Sequence, residues 1–166
     1  MLGDTGVGKT ALLQQFMTSE YMGAIETSFD DDCEKTVSVL LDGEETMVDF
    51  VDVRRDQVGL LLQSTNKHVE GYVLNFSITE HTSFQYVHDL VYEIRQERGS
   101  SKAVILVANK SDLVRSREVT EEELYDLCQS NDCKYVEVSA ALNHKVDELL
   151  VGIVKQIRLN SKREKK

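Results

Sequence analysis

Gly3-Asp4-Thr5-Gly6-Val7-Gly8-Lys9-Thr10 is the stretch whose reading decides the fold. It fits G-x-x-x-x-G-K-[ST], a loop that cradles phosphate groups. Its glycines let backbone N–H groups curl around phosphate oxygens with no Cβ in the way. Thr10 to Met17 follows directly and reads as a helix, whose positive end points at the same oxygens. Lys9 supplies a point charge for the outer phosphates, and the Thr10 hydroxyl is a ligand for Mg²⁺.

Outward from this loop the pattern alternates strand and helix, which predicts an α/β fold with a mostly parallel sheet and helices on both faces. Thr36 to Leu41 and Glu45 to Asp52 flank Asp42-Gly43, a strong hairpin signal. Gly71 to Ser77 is a strand, and Ser83 to Arg98 a helix with Phe84, Val87, Leu90, Val91 and Ile94 on one face, closed by Gly99. Ala103 to Ala108 is a continuous apolar run, as for a strand buried on both sides. Thr120-Glu121-Glu122-Glu123 is a capping box. Tyr135 to Val138 is a short strand, and Lys145 to Leu159 a helix with one apolar stripe that belongs to the core. We therefore read 1–159 as one nucleotide-binding domain and 160–166 as the start of a basic tail.

A phosphate loop should follow a strand, yet only Met1 and Leu2 precede Gly3, so the first strand is largely missing. Five buried apolar residues amount to roughly 10 kcal/mol, comparable to the stability of a whole domain. The expectation is that the chain is a fragment or a truncated gene model.

The bulk numbers exclude other classes. The length of 166 residues suits a single domain, and no apolar run approaches a membrane span. No signal peptide is visible. Three cysteines (Cys33, Cys128, Cys133) lack metal-ligand spacing, and a cytosolic chain with reduced thiols is expected. Residues 155–166 hold six basic groups and one acidic, +5 of a net charge of -10, so the remainder carries -15. An acidic body argues against nucleic acid as a partner, while a basic tail suits an anionic membrane surface.

A second loop reads a base. Asn109-Lys110-Ser111-Asp112 follows the buried strand, at the carboxyl end where ligands sit in open α/β sheets. The Asp112 carboxylate only accepts hydrogen bonds, and guanine offers two adjacent donors. Adenine offers an acceptor at the matching ring position, so a desolvated carboxylate would be left unpaired against it. Asn109 can brace the loop, and the Lys110 stem can lie over the ring face. Ser139-Ala140-Ala141 follows the next strand, with backbone N–H groups that can meet the base carbonyl.

At these residues the sequence resembles the Ras superfamily, with GDTGVGKT, the DGEE hairpin, Asp52, NKSD and SAA in family order. Three stretches are similar to its RGK (Rad, Gem, Rem) branch: Ser111 to Val119, Asp132 to His144, and Lys155 to Leu159. Ser28-Phe29-Asp30-Asp31 resembles the RGK version of the first switch region. The resemblance implies a P-loop G domain binding GTP or GDP with Mg²⁺, the metal held by Thr10 and, through water, by Asp52.

Departures from the family bear on catalysis. Where Ras-like proteins carry D-x-x-G and then Gln, this chain has Asp52-Val53-Arg54-Arg55-Asp56-Gln57. Arg55 replaces the Gly whose N–H meets the γ-phosphate, and Asp56 occupies the Gln position. A carboxylate there repels a triphosphate, and Gln57 substitutes only if the register slips by one. The bland reading of Arg54 and Arg55 is a solvated turn. Thr27 and Ser28 are the candidates for the metal-binding Thr of the first switch. Thr5 sits where a small residue is usual, and the RGK D-x-W Trp is absent. Slow or absent hydrolysis is expected, with GDP and GTP bound about equally.

The RGK resemblance further implies inhibition of voltage-gated calcium channels through their cytosolic β subunit, at positions matching Arg115, Leu142 and His144. It also implies that the basic tail meets calmodulin and anionic lipids, placing a monomer peripherally at the plasma membrane. Two rivals stand beside this reading: a conventional Ras- or Rap-like switch GTPase, and a nucleotide-independent pseudo-G-protein scaffold. An ATP-using kinase is disfavoured by Asn109 to Asp112.

Overall fold

The computed structural model describes residues 1–18, 34–63 and 68–166. The first-switch candidates Thr27, Ser28 and the Ser28–Asp31 stretch lie outside them, as does Cys33. Four parallel strands form the main sheet in the order β1-β4-β5-β6: β1 (Leu2–Gly3), β4 (Gly71–Ser77), β5 (Ala103–Asn109) and β6 (Lys134–Glu137). Strands β2 (Glu34–Leu41) and β3 (Glu44–Val51) make a separate antiparallel pair, from Glu34 opposite Val51 to Leu41 opposite Glu44. Asp42 and Gly43 both take positive φ, 54° and 79°, as the two-residue primed turn requires.

In β1, Leu2 and Gly3 pair with Leu74 and Asn75 of β4. Met1 then joins the hairpin to the sheet: its nitrogen donates to Val51 O at 2.6 Å, and Val53 N donates to Met1 O at 3.1 Å. A cavity of about 490 Å³ adjoins that junction, lined by Met47, Phe50, Tyr72, Val73, Ile105 and Ile157 among others.

Alternation along β5 explains the layers. Val104, Leu106 and Ala108 enter one core with Phe76, Phe84, Val87, Leu90 and Leu124. That core lies under α2 (Val58–Gln63), α3 (His81–Tyr92) and α4 (Glu121–Asn131). Ala103, Ile105 and Val107 enter the other, with Leu12, Phe16, Val37, Leu149, Leu150 and Ile153. It lies under α1 (Lys9–Thr18), the hairpin and α5 (Val146–Glu164). Every residue of β5 is buried, as its unbroken apolar run requires.

Helix ends depart from the periodicity. The third helix starts at His81 and finishes as a wider turn over Glu93–Glu97, where Arg98 N bonds Glu93 O at 2.9 Å, before Gly99 at φ 58°. The last helix runs to Glu164, past Leu159 where the apolar stripe ends, so residues 160–164 are helical. The Thr120 capping box is complete: its hydroxyl accepts Glu123 N, and the Glu123 carboxylate accepts Thr120 N. Cys128 and Cys133 are buried free thiols, and burial pushes Cys128 up to about 12. Among the described residues no helix is long and apolar enough to cross a membrane.

Candidate functional site

Parallel strands β1 and β5 present their carboxyl ends at the same edge of the sheet, one strand (β4) apart. The phosphate-type loop leaves β1 there, and the Asn-Lys-Ser-Asp loop leaves β5. Asn109, buried as the last residue of β5, joins them. Its amide nitrogen donates to Val7 O at 2.8 Å, and its Oδ1 accepts Lys110 N at 2.8 Å and Ala140 N at 3.2 Å. One side chain thus ties together the three segments predicted to form one pocket.

Gly8 is required by this joint. It takes φ 97°, and a Cβ there would lie 2.2 Å from Asn109 Nδ2. Gly3 is equally constrained at φ 153°, because a Cβ would meet Asn75 O at 2.4 Å. Thr5 and Gly6 are exposed at the loop's tip, Val7 is buried beneath it, and α1 starts at Lys9.

Lys9, Thr10 and Asp52 gather at the other end. Lys9 Nζ donates to Val53 O at 3.0 Å and lies 3.6 Å from Asp52 Oδ1. Thr10 Oγ1 donates to Asp52 Oδ2 at 3.5 Å. An exposed hydroxyl and a carboxylate this close offer the oxygen donors a hard divalent cation takes.

The loop at the end of β5 is equally ordered. Asp112 is exposed, and its Oδ1 accepts the Ser139 hydroxyl at 2.7 Å. Ser111 N donates to Val138 O, so the loop is fastened to the end of β6. Lys110 takes φ 62°, and its ammonium lies 3.9 Å from Glu80. Ala140 gives its N–H to Asn109 and its carbonyl to Gln15 Nε2 at 3.1 Å, while Ala141 is exposed at the turn. Beside it, Ser139 and His144 bond each other's backbones, which presents Leu142 and His144 to solvent. Arg115 is exposed on the short helical turn Val114–Ser116.

The degenerate catalytic stretch behaves differently from its bland reading. Arg54 is a solvated side chain, 74% exposed and paired only loosely with Asp56 at 3.6 Å. Arg55, though 54% exposed, is anchored: its Nη1 lies 2.7 Å from Asp4 Oδ1, and its guanidinium stacks 4.4 Å from the centroid of Tyr86. Asp56 and Gln57 are exposed on the turn Arg55–Gln57, and among the described contacts it is Arg55 that reaches the phosphate loop. Sequence reasoning missed this pair. Tyr86 is partly buried at the edge of the core under α3, and nothing in the spacing marks it as a partner of a residue 31 positions earlier.

A glycine-lined loop after a parallel strand, braced by an Asn to a carboxylate-bearing loop, defines a Ras-like G domain. The Ras family model matches residues 1–159, and the chain belongs to that family. GTP-binding protein RAD of Rattus norvegicus is 37% identical over 161 residues, covering 95% of this chain and 51% of that protein. GTP-binding protein REM 1 of Homo sapiens is 37% identical over 163 residues (96% and 54%). GTP-binding protein GEM of Homo sapiens is 34% identical over 168 residues (96% and 55%). The chain spans about half the length of these relatives, all of the RGK branch.

Proposed function

We propose that this chain binds GDP and GTP with Mg²⁺ and turns GTP over slowly or not at all. The observation that carries this reading is Asn109, whose side chain couples Val7 of the phosphate loop to Lys110 and Ala140 of the base loops. The residues fit the nucleotide. The glycine cradle of Gly3, Asp4, Thr5, Gly6, Val7 and Gly8 takes the phosphates, and Lys9 the outer ones. Asp112 selects the purine, Lys110 covers its face, and Ser139 orients Asp112; the Ala140 N–H is taken by Asn109, so the Ala141 N–H meets the base carbonyl.

Thr10 and Asp52 would hold Mg²⁺, which neutralises phosphate charge when bound. Asp56 stands where a water-orienting group is needed, and its carboxylate repels the anion that such a water must approach. The chain's own residues therefore position the nucleotide without supplying a base.

Titration with fluorescent GDP and GTP, with and without Mg²⁺, tests the reading. Saturable, guanine-selective binding of both, with single-turnover hydrolysis far below that of a stimulated GTPase, is the expected result. Binding of neither nucleotide refutes it. A large GTP-dependent change in residues 19–34 and 53–66 would favour a conventional switch instead.

The RGK relatives support a second layer. The exposed Arg115, Leu142 and His144 serve as contacts for the β subunit of voltage-gated calcium channels, whose inhibition is the output. The basic end of α5 and the residues after it meet calmodulin and anionic lipid at the plasma membrane. An Arg115→Ala, His144→Ala double variant should lose β-subunit capture in a pull-down. Unchanged capture removes this layer and leaves the nucleotide reading standing.

A further inference from the structure

Arg55 occupies a position that the Ras-like pattern gives to glycine, and its two contacts assign it work there. Its guanidinium uses its edge on Asp4 Oδ1 at 2.7 Å and its face on Tyr86 at 4.4 Å. Only a planar cation does both at once; an ammonium is a point charge without a stacking face. The same Asp4 oxygen also accepts the N–H of Thr5 at 2.8 Å. Asp4 is therefore held inside the phosphate loop, with its side chain 20% exposed.

This arrangement has two consequences. A carboxylate built into a loop that receives phosphates shares their sign, and it opposes binding unless a cation cancels it. The clasp also fastens the segment behind Asp52 to the phosphate loop through the protein's own charges. Without Arg55, Asp52 and Val53 keep their ties to Lys9, Thr10 and Met1, while the turn after them loses its tie to the phosphate loop.

We propose that Arg55 is a positioning residue for the phosphate end of the site: it neutralises Asp4 and holds residues 54–57 in place whichever nucleotide is bound. The proposal rests on the nucleotide-binding reading above. It deepens that reading by giving the near-equal binding of GDP and GTP a structural origin in a pair of side chains. Arg54, 74% exposed, does neither job and serves as the control.

Fluorescent GDP and GTP affinities would be measured on the full chain for the wild type, Arg55→Ala, Arg55→Lys, Asp4→Asn, Arg54→Ala and the Asp4→Asn, Arg55→Ala double variant. For a half-exposed, stacked ion pair, Arg55→Ala should weaken both nucleotides about three- to tenfold, by the same factor. The loss should shrink as salt rises. Arg55→Lys should fall between, and Arg54→Ala should match the wild type. Asp4→Asn alone should bind both nucleotides more tightly than the wild type, because it leaves the Arg55 charge uncancelled.

The decisive arm is the double variant. Removing the carboxylate as well should restore binding, which loss of a merely structural contact would not do. Hydrogen exchange over residues 53–63 should be alike in the GDP and GTP forms of the wild type and faster in both forms of Arg55→Ala. Arg55→Ala binding unchanged, a loss that Asp4→Asn fails to relieve, or a 53–63 segment protected only by GTP would each overturn the proposal. A wild type that binds neither nucleotide sinks the functional reading itself, a result distinct from these.

Discussion

The Asn109 side chain donates to the carbonyl of Val7, 102 positions earlier in the chain, at 2.8 Å. Its Oδ1 meanwhile holds Lys110 N and Ala140 N. A strand end, a phosphate loop and a third loop are therefore positioned by one amide group, buried to 2% exposure. No hydrophobic contact could set these three backbones in register, because each presents a polar group that must be paired.

Asn109→Ala leaves the Val7 carbonyl and the Lys110 and Ala140 amides without this partner. Each buried orphan costs about 1–3 kcal/mol, and partial rescue by water sets the expected loss of folding stability at about 3 kcal/mol. Urea unfolding measures it. Guanine-nucleotide affinity should fall more than stability alone explains, since both ends of the pocket shift. Asn109→Asp should be no milder: it keeps an acceptor for the two amides but buries a charge facing Val7 O.

Gly8→Ala attacks the same joint from the other side. The new Cβ would fall 2.2 Å from Asn109 Nδ2 on a backbone at φ 97°. Left-handed strain alone is about 1–3 kcal/mol, and the clash adds to it by pushing Asn109 off Val7. Gly6→Ala provides the comparison, because at φ 79° a Cβ there meets nothing within 4 Å. The Gly8 variant should melt lower than the Gly6 variant. Equal melting temperatures would show that the Asn109 joint yields at little cost.

Much of this architecture was legible in the residues, for physical reasons. Gly71 to Ser77 is legible to the residue because apolar composition and flanking turns coincide there. The Asp42-Gly43 turn is legible because two successive positive φ values strongly favour such residues. The Thr120 box carries its own partner three positions on. What escaped was long-range and polar. The Arg55–Asp4 pair spans 51 positions, and a lone Arg in a turn reads as solvated until its neighbours in space are known. The overrun of α5 to Glu164 escaped because residues 160–164 have no apolar stripe. Ion pairs across to Lys102 and Asp132 accompany that last turn instead.

Glu123 gives the fold an acid-sensitive contact between α3 and α4. The His81 ring nitrogen at 2.9 Å, then the Thr120 N–H and hydroxyl, hold its carboxyl down at about 2, against an ordinary 4.5. The unfolded chain therefore takes up the proton first as pH falls. The group's stabilisation is complete above about 4.5 and is lost as pH drops toward 2. Glu123→Gln should flatten the stability profile across that window and lower the melting temperature at pH 7 by weakening the cap. A thermal-melt series over pH checks both, and a wild-type profile already flat between 4.5 and 2 would contradict it.

Asp112→Asn tests base selection without disturbing the frame. Asp112 is exposed, and its described tie is to the Ser139 hydroxyl at 2.7 Å, which an amide oxygen can still accept. Folding stability should therefore change by no more than about 0.5 kcal/mol, the range for an exposed position. Binding should change far more. A carboxylate can accept hydrogen bonds from both the ring N–H and the amino group of guanine, whereas an amide presents one acceptor and one donor. The donor would face the guanine amino group unpaired, and polar mismatches of that kind discriminate by up to about 10⁴-fold. Xanthine carries a carbonyl where guanine carries its amino group, so the variant should lose guanine nucleotides and gain xanthine nucleotides. Competition of fluorescent GDP by unlabelled GDP and XDP reads both changes in one assay. If the preference stayed with guanine while the fold stayed intact, Asp112 would not be the group that selects the base.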